Sequence, residues 1–294
     1  MDTSPHDRQG GKDAPPRVVL DSLLPQEIAE KAEHVGVGKA RLDIIRLLTL
    51  AVLAGAFIAL GAMLSTVVAT GAAALPYGVG RLLVGVAFSL GLVLVVIGGA
   101  ELFTGNNLMV MAWAGRKITT LELLRAWAIV YVGNFIGGVG TALLVFLAGQ
   151  YGFHDGAVGA TALGIATAKV ALPFWQALFL GVLCNVLVCL AIWLSYSAHT
   201  VSGKILAIVF PITAFVAAGF EHSIANMYFL PYALFVKWGA SDAFWAMLQA
   251  VPADVASLDV AAMVGNLVPV TIGNVIGGGV LVGLVYWFVY LRGR

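Results

Sequence analysis

Glu221 and His222 stand side by side in a run that is otherwise uncharged from Ile205 to Val236. A carboxylate next to an imidazole can hold or move a proton, and histidine is the side chain whose ordinary titration falls at physiological pH. Of the five histidines, His222 is the one in the middle of an apolar segment. Two readings of it stay open. It is either a neutral ring hydrogen-bonded between helices, or a group that couples a passing solute to a proton. Hydrolase and pump chemistry find no support, because H-E-x-x-H, G-x-S-x-G and the phosphate-binding G-x-x-x-x-G-K loop are missing. No cofactor or metal site is expected.

A second polar island lies in Ala100-Glu-Leu-Phe-Thr-Gly-Asn-Asn-Leu-Met109, inside a run uncharged from Leu82 to Gly115 apart from Glu101. Glu101 and Glu221 are separated by the same interval as Asn106 and Asn226. An unbroken helix from Ile205 to Val236 would be roughly 48 Å long, against about 30 Å of hydrocarbon core. Both runs therefore read as broken helices, which survive at membrane depth only where they line protein or a water-filled cavity. Buried carboxylates there need partners. Glu101 and Glu221 either tie the loops to backbone N–H groups or touch the solute, with the structural role favoured for both and for Asn226.

The elements that must position these islands follow from composition. The chain has 294 residues, 61% hydrophobic and 11% charged, with a net charge of +1. This is the composition of an all-α integral membrane protein, with no sign of nucleic-acid binding. Cys184 and Cys189 read as apolar packing residues. Residues 1–40 form a polar N-terminal segment, expected to be disordered to about Val19. A short amphipathic helix from Leu24 to His34 is expected next, with Pro25 in its first turn and Ile28, Ala29 and Ala32 on one face. Residues 41–294 form the transport domain, with six spans expected at about 44–70, 81–114, 119–149, 170–197, 203–238 and 262–291. Lys39, Arg41, Arg46, Arg116, Lys117, Lys204, Arg292 and Arg294 gather on one side, and Asp155, Asp242, Asp254 and Asp259 on the other. By the positive-inside rule both termini are cytoplasmic, in the cell's inner membrane. Lys169, at a span end, has one reading as a snorkelling residue.

Val132-Gly-Asn-Phe-Ile-Gly-Gly138, in the third span, returns in the sixth as Ile272-Gly-Asn-Val-Ile-Gly-Gly278. Three spans followed by three like them must run in opposite senses, which is an inverted 3+3 repeat with broken spans two and five. Gly133 with Gly137, and Gly273 with Gly277, allow helices to approach closely.

Gly219–Met227 (GFEHSIANM), Ala100–Met109 (AELFTGNNLM), Gly181–Trp193 (GVLCNVLVCLAIW) and Pro269–Gly279 (PVTIGNVIGGG) resemble the signatures of the formate/nitrite transporter family. The resemblance runs from about Leu23 to Arg292 and is nearest the formate-channel branch. It implies an aquaporin-like homopentamer with a pore in each protomer, passing a small monovalent anion together with protons. Formate is the expected anion, with nitrite or hydrosulfide as alternatives. A neutral-solute channel is the rival of another class, but it lacks its asparagine-proline-alanine pairs here. By the same resemblance His222 faces Thr104, and Lys169, Asn185 and Asn274 attract or position the anion. Phe88, Phe215 and Leu102 would constrict the path on one side, and Leu92, Val188 and Phe103 on the other. Gly105-Asn106-Asn107 is more polar than the serine-containing version common in formate channels.

Overall fold

The computed structural model describes residues 22–248 and 255–293. The segment expected to be disordered, together with Asp254 and Arg294, lies outside these. In chain order the helices are α1 (Pro25–Ala40), α2 (Ile44–Ala69), α3 (Tyr77–Gly98), α4 (Phe103–Asn106), α5 (Val110–Ala114), α6 (Thr120–Leu147), α7 (Ala157–Val170), α8 (Phe174–Ser197), α9 (Val201–Ala218), α10 (Ser223–Gly239), α11 (Asp242–Met247), α12 (Val260–Val275) and α13 (Val285–Tyr290). A π-helical stretch, Ile276–Leu284, joins α12 to α13, so that the last span is continuous over Val260–Tyr290. Among the described residues six helices are long and apolar enough to cross a membrane. The expected spans differ mainly at their ends. Spans two and five stop at Gly98 and Ala218, where Gly99 (φ 75°) and Gly219 (φ 78°) take the left-handed conformation that ends a helix.

The two halves match in their bonding. After the first break, Glu101 N–H donates to Leu50 O at 3.1 Å. After the second, Glu221 N–H donates to Leu180 O at 3.3 Å. Close backbone contact holds the first and third spans of each half together. A Cβ on Gly137 would collide with Val52 O, and one on Gly277 would collide with Val182 O. Those positions need glycine because the neighbouring atom is backbone and cannot swing away. The sequence repeat is therefore a packing repeat.

α1 belongs to that repeat. It precedes the first span of its half as α7 precedes the fourth, and each of these short helices places a lysine, Lys39 or Lys169, beside the broken span of its own half. α1 lies on the protein rather than away from it. Ile28, Ala29 and Ala32 are buried in a cluster with Met111, Trp193 and Leu291. The helix starts at Pro25, as expected, with Glu27 Oε2 accepting from Leu24 N–H at 2.7 Å. It runs on to Ala40, beyond the expected His34. The face bearing α1 and residue 291 is called proximal below, and the face bearing α7 and α11 distal.

Candidate functional site

The chain re-enters the interior after each break, and the same arrangement of bonds fixes each loop. Asn134, on α6, donates from Nδ2 to Ala51 O (2.7 Å) and Glu101 O (3.0 Å), and its Oδ1 accepts from Phe103 N–H at 2.9 Å. Asn274, on α12, donates to Gly181 O (2.8 Å) and Glu221 O (3.0 Å) and accepts from Ser223 N–H at 2.9 Å. One amide thus satisfies two backbone groups of the loop that would otherwise be buried without partners, and anchors them to a carbonyl of the neighbouring helix. Both asparagines are fully buried.

The carboxylates close the loops from the other side. Lys39 Nζ donates to Glu101 Oε2 at 2.8 Å and to Asn106 Oδ1 at 2.7 Å, while Asn106 Nδ2 donates to Glu101 Oε2 at 2.8 Å. Lys169 Nζ donates to Glu221 Oε1 at 2.8 Å, and Asn226 Nδ2 to Glu221 Oε2 at 2.7 Å. Asn266 ties this second cluster to α7, its Nδ2 donating to Lys169 O at 2.9 Å. The carboxylates accept from lysine and asparagine side chains, where backbone N–H donors were expected. Lys39, Asn134 and Asn266 complete the arrangement, and none of the three is a site residue expected from the sequence. Lys39 and Lys169 are 130 residues apart, against 120 for the paired glutamates and 140 for the paired glycines, so neither spacing leads from one lysine to the other.

Between the two loops lies the polar centre. Thr104 and His222 meet at 2.9 Å between Oγ1 and Nε2, both buried. His222 is the N-cap of α10, and its Nδ1 accepts from Ala225 N–H at 3.1 Å. A ring nitrogen that accepts an N–H carries no proton of its own. The ring is therefore neutral in this arrangement, with its proton on Nε2, donating to Thr104. Asn185 lies behind Thr104, its Nδ2 donating to Asn107 Oδ1 and Asn274 O, each at 2.7 Å. Asn185 and Asn274 are thus engaged with the protein itself.

A vestibule of about 660 Å³ opens from the distal side and ends at Phe88, Phe215 and His222. Arg81, Lys169 and Glu221 line it. Phe88 and Phe215 meet edge to face with centroids 5.6 Å apart, and Phe215 lies 5.9 Å from the His222 ring. The resemblance-based constriction residues Leu92, Leu102, Phe103 and Val188 are all buried beyond the vestibule's floor, with Phe103 against Tyr131 and Trp127 at 5.0 and 6.1 Å.

Six spans in an inverted repeat, two re-entrant loops and a polar centre behind an aromatic floor define a membrane transport protein of aquaporin-like architecture. The chain belongs to the formate/nitrite transporter family, whose model matches residues 26–288. It is 43% identical over 274 residues to the formate channel FocA of Escherichia coli, covering 93% of this chain and 96% of that one. Among solved structures it is similar to a pentameric formate channel with formate bound, at 41% identity and a TM-score of 0.78 over 85% of this chain and 98% of the other. An ion channel of the same family shares 31% identity with a TM-score of 0.75, over 90% and 98%.

Proposed function

We propose that each protomer passes formate across the cell's inner membrane, that protons accompany it, and that the working assembly is a homopentamer. The observation that carries the reading is the neutral imidazole of His222, whose single N–H meets Thr104 directly below a vestibule floored by two aromatic rings. A small carboxylate entering from the vestibule loses hydration at Phe88 and Phe215, because apolar rings cannot replace its water. His222 Nε2–H and Thr104 Oγ1–H then offer it two donors in place of each other. The anion crosses more easily as the neutral acid. The ring can supply that proton only after Nδ1 gives up Ala225 N–H and takes a proton from the water of the vestibule, which His222 lines. The imidazolium then passes its Nε2 proton to a carboxylate oxygen, leaving formic acid and a neutral ring with its proton on Nδ1. Similarity to proteins named as formate channels favours formate over nitrite or hydrosulfide. Lys169 holds Glu221 at the vestibule wall, and Asn185 and Asn274 hold the loops that carry Thr104 and His222. With both termini on the side richer in Lys and Arg, the proximal face is cytoplasmic.

The test is uptake into liposomes containing purified protein, offered formate, nitrite, hydrosulfide, chloride and a neutral solute of similar size, with internal pH recorded. Formate uptake carrying protons inward is expected in the parent, and loss of the proton-coupled part in His222→Asn, which keeps a polar group but cannot titrate there. Unchanged proton-coupled uptake in a well-folded His222→Asn protein would remove His222 from the mechanism. Preference for the neutral solute would remove the anion.

A further inference from the structure

Two cations line the distal vestibule, and their circumstances differ. Lys169 is half of an ion pair. Its Nζ lies 2.8 Å from Glu221 Oε1, and the two side chains are only 14% and 6% exposed. Seen from the vestibule, that pair is a dipole with no net charge. Arg81 is half-buried on the first turns of α3 and is in no ion pair among the described residues. Its Nε donates to Ala217 O at 2.9 Å and its Nη2 to Val216 O at 2.6 Å. Those carbonyls are at the C-terminus of α9, where unpaired C=O groups gather partial negative charge. The guanidinium offsets that charge, roughly half a unit at a helix C-terminus, and keeps the remainder of its own, since two backbone carbonyls accept hydrogen bonds without neutralising a cation. Its Nη1 has no partner among the described residues. Glu221 is the one acidic residue on the vestibule wall.

We propose that Arg81, rather than Lys169, supplies the net charge that gathers small anions in the distal vestibule, and that its free Nη1 faces them there. The proposal rests on the anion-passage reading above. A charge in a concave apolar wall raises the local concentration of opposite ions, and added salt screens that effect. Lys169 then acts as a positioning residue for Glu221 and the second loop.

Initial formate uptake into proteoliposomes, measured from low to high ionic strength with an impermeant salt, separates the roles. The parent's uptake shows whether anions pass at all, so a failure of the function would be seen in the parent alone. Arg81→Gln should raise the apparent KM roughly threefold to tenfold at about 0.01 M ionic strength, with the difference vanishing near about 1 M. Arg81→Lys should stay close to the parent, and the double variant Lys169→Met/Glu221→Gln, neutral for neutral, should keep the parent's salt dependence. Tyr77 is one helical turn from Arg81 on the vestibule wall and 82% exposed. Tyr77→Glu places a carboxylate beside the guanidinium without touching its bonds to α9, so it tests the same field if the Arg81 variants fail to assemble. It too should raise KM at low salt alone. An Arg81→Gln deficit that persists at high salt and is shared by Arg81→Lys would make Arg81 a cap for α9 and nothing more. A parent-like Tyr77→Glu protein, or a salt dependence that follows Lys169 instead, would also overturn the proposal.

Discussion

Lys169→Met removes one member of a pair that the protein has taken out of water. At 2.8 Å and an effective dielectric of about 20, the attraction between the two charges is roughly 6 kcal/mol. Most of that is offset by their lost hydration, so the pair as a whole contributes little, while breaking it leaves an uncompensated carboxylate at a typical cost of about 3–5 kcal/mol. Glu221 keeps its bond from Asn226 Nδ2 at 2.7 Å, which places the expected loss near the lower bound, about 3 kcal/mol. Replacing both charges, in Lys169→Met/Glu221→Gln, should restore at least half of that. Glu221→Gln alone should cost less than Lys169→Met, because the lysine can turn into the vestibule and regain water. The assay is the half-life of the detergent-solubilised oligomer at a fixed elevated temperature, since such proteins unfold irreversibly and are compared by rate. If Lys169→Met is as long-lived as the parent, or if the double variant loses the sum of the two single losses, the pair is not a unit and the derivation fails.

Asn274→Ala leaves Ser223 N–H and Glu221 O without a partner and removes a second bond from the helical carbonyl of Gly181. At about 1–3 kcal/mol for each buried orphan, the oligomer should lose stability heavily, and Asn134→Ala should match it because the bonds are the same. An Asn274→Ala protein of parental stability with altered transport alone would assign that amide to the solute. Phe215→Ala opens the aromatic floor beside His222 and should raise chloride leak in the liposome assay, whereas unchanged selectivity would locate the barrier deeper, at Leu92, Leu102, Phe103 and Val188. Gly277→Ala puts a methyl group into Val182 O and should lower the yield of assembled protein sharply. Ala at Gly265, which has open space around it, should be tolerated.

Much of this fold is legible in the sequence because a bilayer penalises what a soluble fold tolerates. Glycine and polar residues inside Leu82–Gly115 and Ile205–Val236 are expensive in hydrocarbon, so they mark the breaks at Gly99 and Gly219 directly. The matched Glu, Asn and Gly positions reveal the inverted repeat. Lys39 is not legible as a partner of Glu101, because α2 and α3 lie between them in the chain and Lys39 sits among surface-type residues. Its sign fits the positive-inside rule equally well. Lys169 is legible at the membrane edge, but its carboxylate lies on the far side of α8 and α9 in the chain, and its sequence neighbours include no acid. α7 is hidden because a helix of 14 residues is too short to span. The π-helical turn over Ile276–Leu284 has no signature beyond its run of glycines, since it depends on how tightly α8 and the turn at Asn107–Met109 press against it.

The seat of α1 has a consequence for the order in which the protein is made. Ile28, Ala29 and Ala32 rest against Met111, Trp193 and Leu291, so the helix leaves the ribosome long before its seat exists. Lys39, Glu101 and Asn106 can meet once the first half has been inserted. The apolar face of α1 must wait for Trp193 and then for Leu291, exposed until the final span arrives. Translation pauses or truncations within the last span would therefore leave the apolar face of α1 without the part of its seat that Leu291 supplies.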